Sequence, residues 1–471
     1  MIGILSVGAY APRGRIAAET IAEAWGRIQG SGIDEKAVPA ADEDALTMAY
    51  EAAERALEAG DIEGRDVDWL GFASTTPPLA EGDLSVRLGA MAGLDERVTS
   101  HVFTGSTRAG TRALFAAMDA IEAGGESALV VAADTPRGDP DTAIDHAAGA
   151  GAAAFVLAPT GPVRITDRTE FSRPYPGTRF RATGSQTTEG LGVTSYDRRA
   201  FSETVGGAVD GLETDVEPIA VAIQAPDGTL PYRLTDRIGI EAEAVQRCAT
   251  VQDLGDTGAA SVPLSLARAL SEGAGSILAV SHGSGAGADA FAVECDGTVP
   301  TSLDLDGDHT IDYAEYLRAR GMITSGPPDG GGAYVSVPTW QRSIPQRYRL
   351  EAGRCLDCSE LAFPPEGACV ECNSLAGYER VELDSRGTIE AVTTISAGGA
   401  PPEFAEQQAR SGDYAAAIVA LESGGETASA PMMGCAECEG FDAGDRVETT
   451  IRRLYTQEGV TRYARKIRPA G

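Results

Sequence analysis

HVFTGSTRAGTRALFAAMDAIEAG, residues 101–124, carries an apolar strand into a glycine-bracketed turn and then into a helix. Gly105 and Gly110 flank Ser106, Thr107, Arg108 and Ala109, after which Leu114, Met118 and Ile121 recur on one helical face. A strand–turn–helix unit presents a turn side chain beside the free N–H groups of the first helical turn. That place suits a nucleophile whose substrate develops negative charge. Thr107 is best placed for the role, but its hydroxyl stays protonated near neutral pH and needs a neighbouring base. A plain helix-capping role for Ser106 or Thr107 is the competing reading.

Outward from this turn, strands and helices alternate. Strands are expected at residues 2–7, 69–73 and 128–133 and within the small-residue run 147–158, with helices over 16–27 and 42–59. The rhythm argues for parallel sheets covered by helices. After Arg164 it partly recurs, with a helix near 201–212, a strand at 219–223, a helix at 262–270 and a strand at 276–281. Two similar halves follow from that recurrence. SGPPDGGG, 325–332, sustains neither helix nor strand and reads as a linker. Beyond a cysteine-rich stretch, alternation at 388–396 and 446–455 and an apolar run at 414–421 suggest a small antiparallel barrel.

The chain of 471 residues has room for two or three domains. Acidic residues outnumber basic ones by 70 to 38, a formal net charge of −32, and lysine occurs only at Lys36 and Lys466. Such self-repulsion is screened within roughly 3 Å at 1 M salt, which points to a salt-rich cytoplasm, as in a halophile. An acidic patch built for a basic partner fits less well, because the acids are spread along the whole chain. The same charge disfavours nucleic-acid binding. The first residues lack a basic leader region and no stretch of about 18 apolar residues occurs, so a soluble cytoplasmic protein without membrane contact is expected.

Cys355-x-x-Cys358 and Cys369-x-x-Cys372 have the spacing of a zinc ribbon. Four thiolates leave no open position, so this zinc is expected to be structural. Cys435-x-x-Cys438 has no second pair nearby and reads as barrel-loop cysteines. Asp304, Asp306, Asp308, Asp312 and Glu315 imitate the spacing of a calcium loop, but His309 stands where the sharp turn needs glycine. A surface acidic run before a helix at 313–320 is the plainer reading. HGSGAGADAF, 282–291, follows a strand and lets backbone approach a ligand closely at His282, Gly283, Ser284 and Gly285.

Taken together, GAYAPRGRI, DEKAVPAADEDALTMAYEAA, STRAGTRAL, AADTPRGDP, PDGTLPYRL, GSGAGADAF and IDYAEYLRARG resemble archaeal 3-hydroxy-3-methylglutaryl-CoA synthase, a thiolase-superfamily enzyme, over roughly the first 320 residues. YRLEAGRCLDCSELAFPPEGACVEC and the strands after it resemble the DUF35 zinc-ribbon and OB-fold proteins that accompany thiolase-like enzymes. The resemblance implies a five-layer αβαβα thiolase-like domain at 1–322, a linker at 323–345, a zinc ribbon at 346–377 and an OB-fold at 378–471. It also implies a CoA thioester as ligand, structural zinc, and a homodimer through residues 99–103 or a larger assembly with a thiolase.

The family's chemistry uses a cysteine, a histidine and a glutamate. Here the cysteine of ACKAGT falls on Thr107, the histidine of HQPNGKFP on Gln224, the glutamate on Thr75 and the asparagine of GNTYSG on Asp256. Without thiol and imidazole, covalent condensation by the ordinary route is not expected. Cys248 and Cys295 lie too far along the chain to be presumed substitutes. Two readings stay open: a degenerate scaffold that carries or channels acyl-CoA, and a cysteine-independent carbon–carbon bond enzyme using Asp256, His282, Tyr175 or Tyr232.

Overall fold

The runs WLGFA, ALVVAAD and GAAAFVLA are buried along their whole length, because both faces of the strands they form are covered. The computed structural model describes residues 2–214, 217–285, 287–323, 336–396, 398–438, 440–457 and 459–470. The described chain divides into two units, residues 1–39 with 44–313, and residues 40–43 with 314–471.

In the first unit the strands run across one sheet in the order Thr99–Phe103, Trp69–Ala73, Ala128–Asp134, Gly151–Ala158, Ile2–Tyr10, Val163–Ser172, Gly287–Cys295, Ser276–Gly283, Ala220–Ile223. The second half repeats the order of the first with one strand fewer, which makes the faint recurrence in sequence a topological one. The expected all-parallel sheets are corrected to a mixed arrangement. Pairing is parallel toward the two outer edges and antiparallel through the middle. The reason is connection length: the hairpin between Ser276–Gly283 and Gly287–Cys295 leaves no room for a crossover helix.

The five layers follow from how alternate residues divide. Ala128, Val130 and Ala132 join a central apolar cluster with Leu114, Met118 and Ile121 of the helix Ala109–Glu122 and Leu264 and Leu266 of the helix Ser261–Ser271. The helix Ala45–Ala59 packs on the first half-sheet and Thr194–Val209 on the second. Asp44 and Thr47 close a capping box at the start of Ala45–Ala59, which sets its first residue. Ile16 and Ala17, expected as the start of a helix, instead end the strand Gly14–Ala17, which pairs with Glu35–Val38, and the helix begins at Ala18.

The second unit holds a helix Val337–Arg349, a three-stranded sheet built from Glu351–Cys355, Leu361–Ala362 and Tyr378–Glu382, and a five-stranded antiparallel sheet. That sheet runs Glu426–Met433, Tyr414–Ser423, Arg386–Ile395, Arg446–Gln457, Val460–Pro469, and a bridge from Gly434 to Ile467 nearly closes it into a barrel. Leu350, Ala352 and Leu361 share an apolar cluster with Val419, Leu421 and Ile467, so ribbon and barrel have one core. Within the stretch expected as linker, residues 337–345 are helical, started by the Ser336 cap. SGPPDGGG lies outside the described residues.

Candidate functional site

The turn before the central helix faces the hairpin that ends the strand Ser276–Gly283. Thr107 is buried; its hydroxyl donates to the carbonyl of His282 at 2.6 Å, and its N–H donates to Ser284 Oγ at 3.2 Å. A Cβ on Gly283 would collide with Ser106 Oγ and the Arg108 side chain, so the hairpin reaches the turn only because residue 283 is glycine. Arg108 and Asp289 form a fully buried ion pair, with the Thr111 hydroxyl donating to Asp289 Oδ2 at 2.7 Å.

A second group of residues centres on the turn Asp256–Ala259. Asp134, at the buried end of its strand, accepts from the Thr75 hydroxyl at 2.6 Å, from the Thr75 and Thr76 N–H groups at 3.0 and 2.8 Å, and from the Ala259 N–H at 2.7 Å. Gly258 has φ +54°, and a Cβ there would meet Asp134. Gln224 Nε2 donates to the Gly258 carbonyl at 2.9 Å. Asp256, buried, accepts from the Gly258 N–H at 2.9 Å and is ion-paired with Arg179. Gln224 Oε1, Thr257 Oγ1 and Arg179 Nη2 are buried here without a protein partner.

Of the positions singled out in sequence, Gln224, Thr75 and Asp256 thus converge on one turn, while Thr107 is tied to the His282–Ser284 hairpin. Thr75 spends its hydroxyl on Asp134, and Asp256 holds a guanidinium. His282 Nδ1 and Thr204 Oγ1 lie in hydrogen-bonding contact at 2.9 Å, and the ring stands edge-on to Phe201. Burial, with the Arg108 and Arg179 cations nearby, pushes its pKa down to about 4. Tyr175 donates to Glu203, and that hydrogen bond, with Arg199 assisting, holds Glu203 down to about 2. Burial raises the pKa of Tyr232. Cys248 is a core thiol, pushed up to about 12 by burial, and Cys295 is also raised by burial. Cys435 is fully enclosed and pushed well up by burial beside Cys438.

Sequence reading missed Arg108, Asp289, Asp134 and Arg179. Asp134 and Asp289 carried a signal: Asp134 is the lone carboxylate of its buried strand, and Asp289 the lone one in the buried part of its strand, Glu294 lying at the exposed end. Arg179 sits in an irregular stretch and carried none.

The four ribbon cysteines bring their sulfurs within 4.8 Å of one another, with Cys355 to Cys372 at 3.7 Å and Cys358 to Cys369 at 3.6 Å. Zn–S bonds of about 2.3 Å in a tetrahedron separate sulfurs by about 3.8 Å, so the residues fit zinc. Backbone N–H groups of Cys358 and Asp357 hold the Cys355 thiol down to about 7, toward the thiolate a metal requires. This is the one metal-capable cluster among the described residues. In the acidic run, Asp304 pairs with Arg55 at 2.7 Å and Asp308 with Arg13 at 2.5 Å.

A layered α/β core with a buried central helix, followed by a four-cysteine ribbon and small barrel, defines a thiolase-like protein with a zinc-ribbon appendage. Residues 342–376 match the family described as ChsH2, rubredoxin-like zinc ribbon domain. The hydroxymethylglutaryl-CoA synthase of Archaeoglobus fulgidus is 31% identical over 350 residues, covering 69% of this chain and 99% of the relative. That of Methanopyrus kandleri is 32% identical over 346 residues, covering 69% and 95%. The chain belongs to the hydroxymethylglutaryl-CoA synthase family. Among solved structures, HMG-CoA synthase complexed with CoA superposes with a TM-score of 0.60 at 18% identity, covering 71% of this chain and 94% of that one. 3-Oxoacyl-(acyl carrier protein) synthase III from Pseudomonas aeruginosa PAO1 gives 0.56 at 20% identity, covering 64% and 99%.

Proposed function

We propose that the first unit binds a CoA thioester without forming a covalent acyl-enzyme, and that the chain is a degenerate scaffold or channelling protein of acyl-CoA metabolism. The observation that carries this reading is the hydrogen bond from the Thr107 hydroxyl to the His282 carbonyl. The proton is given to an amide oxygen, which cannot serve as general base, so the alcohol is not activated. The unpartnered Gln224 Oε1, Thr257 Oγ1 and Arg179 Nη2 supply polar groups for a bound thioester. The DUF35-like part is a docking module for a thiolase. The edge strand Thr99–Phe103 pairs two copies, and the acidic surface fits a salt-rich cytoplasm. Domain limits of 1–322, 346–377 and 378–471 belong to the same reading.

One observation favours a cysteine-independent enzyme as the second reading. Thr204 directs its hydroxyl hydrogen to the Ala200 carbonyl at 2.8 Å, leaving its oxygen to accept from His282 Nδ1. The lone pair then falls on Nε2, and a pKa lowered to about 4 leaves that nitrogen unprotonated at neutral pH, a weak base carrying no proton of its own.

The deciding experiment incubates zinc-loaded protein in molar KCl with acetyl-CoA, acetoacetyl-CoA, 3-hydroxy-3-methylglutaryl-CoA and longer 3-hydroxyacyl-CoAs. Intact-protein and small-molecule mass spectrometry are then run alongside equilibrium dialysis. Retention of thioesters with no adduct and no product supports the scaffold. Products that vanish in His282→Gln support the enzyme, and an acyl adduct on the Thr107 peptide overturns both.

A further inference from the structure

The second unit contains a cavity of about 810 Å³, within the size range of small-molecule sites. Its walls come from the helix Val337–Arg349 and the barrel strands, and they are apolar except for a few groups, among them Arg347, Arg465 and Gln346. Arg465 is engaged, donating to the Tyr348 carbonyl at 2.9 Å and to the Thr449 carbonyl at 3.2 Å. Arg347 is not so committed. Its Nε donates to Ser343 Oγ at 2.8 Å, its guanidinium lies 4.4 Å from the centre of the Trp340 ring, and among the described residues it has no carboxylate partner.

Arg462 shares that ring at 4.9 Å, is 7% exposed, and keeps a buried Nε without a hydrogen-bond partner. It too has no carboxylate partner among the described residues. The chain's acids far outnumber its bases, and several other enclosed arginines hold carboxylates: Arg55 with Glu51, Arg108 with Asp289, Arg179 with Asp256, Arg452 with Glu43. Two cations on one indole repel each other, and burial, opposed by Tyr455 and assisted by Arg462, disfavours the charged form of Arg347. A bound anion removes that cost.

We propose that this cavity binds an amphipathic anion, a single hydrocarbon chain ended by a carboxylate or a phosphate. The chain lies among Val392, Ile395, Phe404 and Met432, with the head group on Arg347 and Arg462 behind it. The proposal does not depend on thioester binding in the first unit, because it needs neither a CoA moiety nor Thr107.

The test is calorimetric titration of full-length, zinc-loaded protein in molar KCl with five twelve-carbon probes below their micelle concentrations: dodecanoate, dodecyl phosphate, dodecanol, dodecylammonium and dodecanoyl-CoA. Saturable binding of dodecanoate or dodecyl phosphate at least about tenfold tighter than dodecanol and dodecylammonium is expected, one charge-assisted contact being worth that factor. Whichever of the two anions binds more tightly identifies the head group. Arg347→Gln should remove the preference while leaving dodecanol unchanged, and Thr393→Trp, at an exposed position in the wall, should weaken every chain. Equal binding of dodecanol and dodecanoate, binding confined to dodecanoyl-CoA, or an Arg347→Gln variant that keeps the preference would overturn the proposal.

Discussion

Thr107 gives its hydroxyl hydrogen to the backbone carbonyl of His282 at 2.6 Å, so the side chain at the head of the central helix is fastened to the other half of the sheet. Its neighbour Arg108 is fastened to the same half through Asp289. The turn that the family resemblance gives to the nucleophile is here bonded at two successive residues to the opposite half of the sheet.

On the scaffold reading proposed above, covalent acylation takes two changes. Thr107→Cys alone supplies a thiol whose ordinary pKa leaves it mostly protonated, with Gln224 offering no proton acceptor of use. The double variant Thr107→Cys, Gln224→His should acylate with acetyl-CoA about 10²-fold faster than the single one, read as the rate of mass increase of the intact protein.

The pH dependence of stability should carry the mark of His282. Its folded pKa of about 4 lies below the ordinary value of 6.5. Between those values the unfolded chain binds the proton and the folded chain does not, so stability is full above pH 6.5 and falls as pH drops toward 4. Melting temperature measured across that window should slope downward with acidification, and His282→Gln should flatten the slope.

Asp289→Ala removes the buried partner of Arg108 and leaves it only the half-exposed Glu170 at 3.5 Å, a loss of about 3 kcal/mol for a broken buried pair. Calorimetry should show the transition of the first unit lowered by about 10 °C. Asp289→Asn, which keeps an acceptor for Thr111, should fall between the two.

Zinc removal should reach beyond the ribbon. Because Leu350, Ala352 and Leu361 pack with Val419, Leu421 and Ile467, chelation at the four cysteines should loosen the barrel as well. Hydrogen exchange at residues 414–423 is expected to speed up on adding chelator and to recover with zinc.

Self-repulsion from a net charge of −32 predicts that melting temperature climbs steadily with KCl up to molar concentrations. A melting temperature that falls across that range would remove the argument for a salt-rich home.

Much of this was legible in the chain itself. The spacing of Cys355, Cys358, Cys369 and Cys372 is a local property, and a local turn suffices to aim each pair, so the metal cluster appeared as read. The buried runs WLGFA and ALVVAAD named their strands because a strand covered on both faces tolerates little polarity. The helix Val337–Arg349 stayed hidden because Pro345 sits inside it, and Ile16 and Ala17 turned to strand because they pair with Lys36 and Glu35, outside the local stretch that sets a helical pattern.

What the sequence determined by itself was therefore local: element types, the ribbon's ligand set, the identities at positions 107, 224, 75 and 256, and the charge. Tertiary structure decided partnership. Only folding places Asp134 under Thr75 and Ala259, Arg179 on Asp256, and Asp289 on Arg108, across separations of 59, 125, 77 and 181 residues. Hydrogen bonds and ion pairs act over a few ångströms, and residues so far apart in the chain come within that range only when the sheet has set its strand order.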